Sequence, residues 1–199
     1  GRRRPLPDCG LFCFGRVKSV WAIDGKDVVD GIWKQTLDTR RAVLENRRAS
    51  RDVHERMTAF VPMGRACVMV RKTVRNVGTE TRRVRFGIGY EIPDDPFVVG
   101  GWSEGNAGTR AYAARWVGHR LTAGRVTVLP FEGAFVAETT LEPGESATRT
   151  WAIVLEDALD ADTGSVADVR NAGWEGLFAA HVKNWEDYYA TSWIHVPDS

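Results

Sequence analysis

A chain of 199 residues with 43% hydrophobic and 27% charged residues has the composition of a globular protein and can bury a substantial core without disulfide or metal staples. Its longest apolar runs are only a few residues, which excludes a membrane-spanning helix, and no apolar stretch of signal-peptide length follows Gly1-Arg-Arg-Arg. The formal net charge of +1 conceals an asymmetry, with 20 Lys and Arg against 9 Asp and Glu in residues 1–85 and 7 against 17 in residues 86–199. A nucleic-acid surface would gather its basic residues with exposed aromatics. Here they are spread along alternating segments, so the sequence favours opposite-charge pairing of early with late strands. Neither nucleic acid nor a membrane is expected as a partner.

The chain opens on Gly1 rather than methionine, which suggests a processed, trimmed or fused start. Cys9, Cys13 and Cys67 cannot close a disulfide framework. The Cys9–Cys13 spacing without further Cys or His partners is a weak metal signal. No metal and no cofactor is expected, and free thiols lean towards a cytoplasmic protein. From Val17 the pattern has period 2. Asp24-Gly25 separates Val17–Ile23 from Val28–Lys34, a strong hairpin signature. In Arg51–Val61, Val53, Met57, Ala59 and Val61 alternate with Asp52, His54, Arg56 and Thr58. Cys67–Arg75 is joined to Thr81–Tyr90 through Asn76-Val77-Gly78-Thr79, and Val84, Phe86, Ile88 and Tyr90 share one face of the second run. Ile92–Gly108 then reads as a long loop, rich in glycine and proline and carrying Asp94, Asp95, Trp102 and Glu104. Loops of that length without their own secondary structure are often functional.

Alternation resumes at Tyr112, Ala114 and Trp116, at Val126 and Val128, and at Trp151, Ile153 and Leu155. Glu142-Pro143-Gly144-Glu145 marks a turn between Ala134–Leu141 and Ser146–Leu155. Many short strands without intervening helices imply a mainly-β fold, folded most simply as a large antiparallel two-sheet β-sandwich over residues 1–156. Residues 157–199 read as a helical linker. Ser165 to Asp168 begins a short helix, Gly173 breaks it, and Trp174, Phe178, Val182, Trp185, Tyr189 and Trp193 recur at helical spacing until Pro197.

His54, His119, His181 and His195 show no metal-ligand spacing, and no GxSxG elbow supports a triad. No catalytic residue is assigned. Asp94, Asp95 and Glu104 are the acids that could contact a sugar, and Trp102 could stack on the apolar face of a sugar ring. Against this stand a solvated turn at Pro93–Pro96 and a Trp tucked onto the sandwich edge. His181, beside the apolar stripe, reads as a packing or capping residue. Trp174, Phe178, Trp185, Tyr189 and Trp193 are packing residues first. Their bulk exceeds what a lone helix needs, so part of the stripe is a candidate domain interface.

The order of these parts resembles the N-terminal region of glycoside hydrolases and phosphorylases with an (α/α)6 catalytic barrel, among them maltose, kojibiose and cellobiose phosphorylases. The resemblance is carried by Leu37-Asp38-x4-Val43-Leu44, Met57-Thr-Ala-Phe60-Val61-Pro, Val70-x3-Val74-x-Asn76-x-Gly78-Thr79 and the closing helix from His181 to Trp193. It implies a β-supersandwich leading through the linker into a downstream barrel, with the catalytic acids beyond Ser199. This chain would then buttress the barrel and help to line its cleft, with homodimer contacts and oligosaccharide as further partners. A free-standing carbohydrate-binding module and a protein-interaction domain using the aromatic helix are the alternatives.

Overall fold

A computed structural model describes residues 16–29, 32–50, 52–91, 98–104, 110–116, 123–157 and 166–191. In chain order the elements are β1 (Arg16–Ile23), β2 (Lys26–Asp27), β3 (Ile32–Asp38), β4 (Val43–Ser50), β5 (Val53–Phe60), β6 (Cys67–Asn76), β7 (Arg82–Glu91), β8 (Val98–Glu104), β9 (Arg110–Trp116), β10 (Ala123–Pro130), β11 (Val136–Leu141), β12 (Ser146–Asp157) and α1 (Val166–Thr191). A four-stranded sheet runs β11-β7-β1-β2, and an eight-stranded sheet runs β3-β4-β5-β6-β12-β10-β9-β8. This is the mainly-β, two-sheet antiparallel sandwich with a closing helix that the strand pattern implies.

The two sheets meet over a core built from Trp21, Val84, Phe86, Ile88 and Leu141 on one side and Val53, Val70, Val74, Val128, Trp151 and Ile153 on the other. On β7 the alternation is simple: Val84, Phe86 and Ile88 are buried, and Arg83 and Arg85 are exposed. The central strands of the larger sheet are buried on both faces. On β12, Trp151 and Ile153 join the inter-sheet core, while Ala152 and Val154 join a second cluster. That cluster holds Phe60, Cys67, Met69 and Leu129 under Val169, Trp174 and Leu177 of α1. The molecule is therefore a three-layer stack of small sheet, large sheet and helix. Burial of each large apolar side chain contributes roughly 1.5–3 kcal/mol.

The turns lie where glycine and asparagine place them, but they connect differently from simple hairpins. Asp24 and Gly25 both adopt positive φ, 50° and 78°, the backbone of a two-residue type I′ turn. The strand that returns is only two residues long, and β3 already belongs to the other sheet. The turns β6–β7 and β11–β12 likewise pass from one sheet to the other. Asn76, fully buried, binds these two crossings together. Its Nδ2 donates to the carbonyls of Glu80 (2.7 Å) and Leu141 (2.9 Å), and its Oδ1 accepts from Gly78 N (3.0 Å). Its own backbone exchanges bonds with Gly144 and Glu145.

Two further expectations meet the structure here. The segment Ile92–Gly108, read as a loop, contains β8, which pairs with β9 from Val98↔Trp116 to Glu104↔Arg110. Gly100 and Gly101 weaken its strand signal, and the pairing partner supplies what local sequence does not. Gly173 does interrupt the helix: its φ of 63° and ψ of −179° kink α1 between two helical runs.

Replacing Asn76 with alanine takes the side-chain donor from the buried Leu141 carbonyl and the half-buried Glu80 carbonyl and unties both crossings. The expected loss is about 2–3 kcal/mol, read as a fall of the urea midpoint with unchanged slope. A change within the error of the wild type would refute the joint role.

Candidate functional site

The large sheet has twice as many strands as the small one, so the small sheet cannot cover its whole inner face. Directly paired residues of antiparallel strands share a face. One cross-strand row on this face runs Leu37, Leu44, Ala59, Val70, Trp151, Pro130. Its middle is core: Val70 is 3% and Trp151 0% exposed. Its β3 end is open, and Leu37 is 58% exposed. Beside it the β5–β6 turn presents Val61 and Met63, 49% and 42% exposed. Leu37, Leu44, Ala59, Val61, Met63 and Trp185 line a groove of about 590 Å³. Ala42, at the rim, holds a left-handed backbone (φ 48°) that is unusual for a residue with a side chain. The turn before it is fixed by Asp38 Oδ1, which accepts from the backbone N–H groups of Arg40 (3.0 Å) and Arg41 (3.2 Å).

α1 closes one side of the groove. Its seat is Phe60, which meets Trp174 at 5.0 Å, Phe178 at 5.3 Å and His181 at 4.8 Å between ring centroids. Arg71 lies 4.4 Å over the Trp174 ring and bonds Glu175 at 2.7 Å. Further along, Trp185, Tyr188 and Tyr189 form a second aromatic group at 5.6–5.8 Å spacing. Tyr188 and Tyr189 are exposed, and Tyr189 Oη donates to the Thr39 carbonyl at 2.8 Å. So Trp174 and Phe178 are held by the chain's own sheet, whereas Trp185, Tyr188 and Tyr189 extend the groove into an open apolar face. Trp193, Asp94 and Asp95 lie outside the described residues. Trp102 and Glu104 sit on β8, the outermost strand of the large sheet, opposite Tyr112 and Arg110. They are at the far edge of that sheet from β3 and the groove.

His181 is the packing residue its position beside the stripe suggests. It is 1% exposed, and neither ring nitrogen has a hydrogen-bond partner. Burial holds its pKa below the ordinary value. The backbone of Arg41 and Ala42, near but outside hydrogen-bonding geometry, favours the protonated ring and offsets this only in part.

A buried ionic cluster is the one concentration of reactive groups inside the sandwich among the described residues. Arg48 and Glu55 face each other across β4 and β5, with Glu55 Oε1 accepting from Arg48 at 2.7 and 3.0 Å. Lys72 Nζ lies 3.6 Å from Glu55 Oε2 and donates across the interface to Ser19 Oγ (2.6 Å) and the Gly87 carbonyl (2.7 Å). Arg48 also donates to Ser19 and stands 4.8 Å over the Trp21 ring. Burial pushes the Lys72 ammonium down to about 8, against the pull of Glu55. A lysine of that kind can serve as a base, but this one is 0% exposed and its donors are engaged by both sheets. The cluster fixes one sheet against the other. Cys67 is buried too, and burial raises its thiol to about 11, away from reactivity.

Neither the groove nor the cluster brings acids together across a space for a scissile bond, and no three metal-binding side chains converge among the described residues. No described helix is long and apolar enough to cross a membrane. No family model matches the sequence, and no curated protein matches it. Solved structures do. A kojibiose phosphorylase from the human microbiome superposes over 86% of this chain with a TM-score of 0.63 at 9% identity. A bacterial glucoamylase complexed with acarbose superposes over 87% with a TM-score of 0.56 at 7% identity. The likeness is one of fold. This chain spans 27% and 32% of the length of those two chains.

Sequence reasoning placed weight on the helix stripe and on Trp102. It missed the groove, because Leu37 and Met63 look like ordinary core residues until the sheet widths are known. His181 gives the site a pH dependence. Its lowered pKa means that the docked helix resists protonation, so docking is strongest above the unfolded-state value near 6.5 and weakens as the pH falls through the folded value. Tryptophan fluorescence of the wild type should report loosening of α1 below about pH 6.5. The same transition should be blunted in His181→Phe. An unchanged acid transition in that variant would exclude His181 as its cause.

Proposed function

We propose that this chain is the accessory β-sandwich domain of a carbohydrate-active enzyme, a glycoside hydrolase or phosphorylase. Its groove and the Trp185–Tyr189 face would dock on the catalytic domain. One observation supports this above others: an apolar row leaves the core and stays open at one sheet edge, beside an equally open aromatic helix end. Apolar side chains left open next to one another on a surface are what an interaction surface presents. The fold is shared with stretches of much longer chains, among them a kojibiose phosphorylase and a glucoamylase, which supports a covalently linked catalytic domain as the occupant. In this reading that domain is an (α/α)6 barrel downstream of Ser199. It carries the acids for acid-assisted cleavage of a glycosidic bond, and this chain supplies none of them. Trp102 and Glu104, on β8 at the opposite sheet edge, are assigned to oligosaccharide contact, and Asp94 and Asp95 are carried as further candidates from the sequence.

The test uses two proteins: residues 1–199 and the polypeptide its gene extends beyond Ser199. The longer protein should release reducing sugar, or sugar phosphate when phosphate is added, from a panel of disaccharides. The 199-residue protein should release none. An inactive longer protein with no glycosidic activity on the panel, or a gene that stops at Ser199, would contradict the proposal.

A further inference from the structure

The outer face of the large sheet, turned away from the small sheet, is divided in two. α1 covers the half that carries Phe60, Met69, Ala152 and Val154. On the other half one cross-strand row runs Lys34, Arg47, Arg56, Thr73, Thr148, and the next adds His54, Arg75 and Ser146. Lys34, Arg47, His54, Arg56 and Arg75 are all exposed. Neighbouring strands are about 4.8 Å apart, so three cations stand side by side in one row, an arrangement that costs a sheet stability. These two rows contain no acid. Glu45, in the adjoining row, is the carboxylate both arginines share: Oε1 accepts from Arg47 Nε and Oε2 from Arg56 Nε, each at 2.5 Å. The two arginine side chains stay 61% and 59% exposed. Burial alone would raise the pKa of Glu45, but the bonds from Arg47 and Arg56 outweigh it and keep the carboxylate ionised. Lys34, His54 and Arg75 have no ion-pair partner among the described residues. The opposite-charge pairing of early with late strands is thus incomplete: Arg83 meets Glu138 and Arg71 meets Glu175, but this patch is left with four full positive charges against one negative.

We propose that this half of the sheet is a docking surface for an acidic, uronate-bearing polysaccharide. The cations supply charge-assisted bonds to carboxylates along an extended chain. The hydroxyls of Thr73 and Thr148, 2.9 Å apart, and of Ser146 lie in the same rows and match sugar hydroxyls. Nucleic acid fits the face less well. Neither row carries a Phe, Tyr or Trp ring for base stacking, and a flat sheet face presents no helix or ribbon to a groove. The choice of a glycan among polyanions rests on the carbohydrate reading above; the charge geometry does not.

Affinity electrophoresis of the 199-residue protein through gels containing polygalacturonate, dextran or duplex DNA tests this directly. Polygalacturonate should retard the protein, less so as salt is raised, and neutral dextran should not. The double variant R47S/R56S should bind about tenfold more weakly, as should the second pair K34S/R75S. Arg83→Ser, on the small sheet, should stay within about twofold of the wild type. Thermal melts of each variant confirm that it is folded. No retardation by polygalacturonate, retardation of both double variants equal to that of the wild type, or tighter binding to DNA than to polygalacturonate would overturn the proposal. None of these outcomes bears on whether the longer protein cleaves glycosidic bonds.

Discussion

The governing constraint is a mismatch of width. Eight strands cannot be covered by four, and the apolar residues of the larger sheet must find other shelter. On the outer face that shelter is α1, seated on Phe60. On the inner face the row from Pro130 to Leu37 emerges from the core and continues into the open. The double burial of β6 and β12, the placing of the helix, and the groove are consequences of this one inequality. Where neither helix nor small sheet lies above the large sheet, its outer face turns cationic instead of apolar.

Inside the sandwich the sheets are set against each other by polar contacts as well as by packing. Removing Arg48, Glu55 and Lys72 from water is expensive, and their mutual bonds offset that cost only while all three are present. Such a cluster contributes less net stability than apolar residues of the same volume could. Its effect is positional: Lys72 reaches Ser19 and Gly87 only in one alignment of the two sheets. Gly87 is needed within the small sheet as well, because a Cβ there would come within 2.2 Å of the Phe135 carbonyl oxygen, just before the paired β11 strand. Asn76 fixes position too, at the end of the sandwich, where the chain crosses between sheets twice.

Local physics made much of this legible in advance. Period-2 alternation found β7, the Asp24-Gly25 pair found its turn, and Gly173 announced the break in α1. What local sequence does not encode is the sheet to which a strand belongs. The turns after Asn76 and Leu141 look like hairpin turns and are inter-sheet crossings. Glu55 is in phase with Val53 and Met57, and Lys72 with Val70 and Val74, so alternation alone puts two charges on the buried face; what it does not show is that each finds its partner on another strand. β8 hid behind two glycines. The groove needs the widths of both sheets before any of its residues can be recognised as uncovered.

The central claim is that the groove and the Trp185–Tyr189 face are covered in the working protein by a domain on the same polypeptide. Backbone hydrogen exchange tests this most directly, comparing residues 1–199 alone with the longer gene product. The account predicts slower exchange in the longer protein around Asp38–Val43, Val61–Arg65 and Trp185–Tyr189, with the small sheet unchanged. Equal exchange at those three segments in both proteins would contradict it.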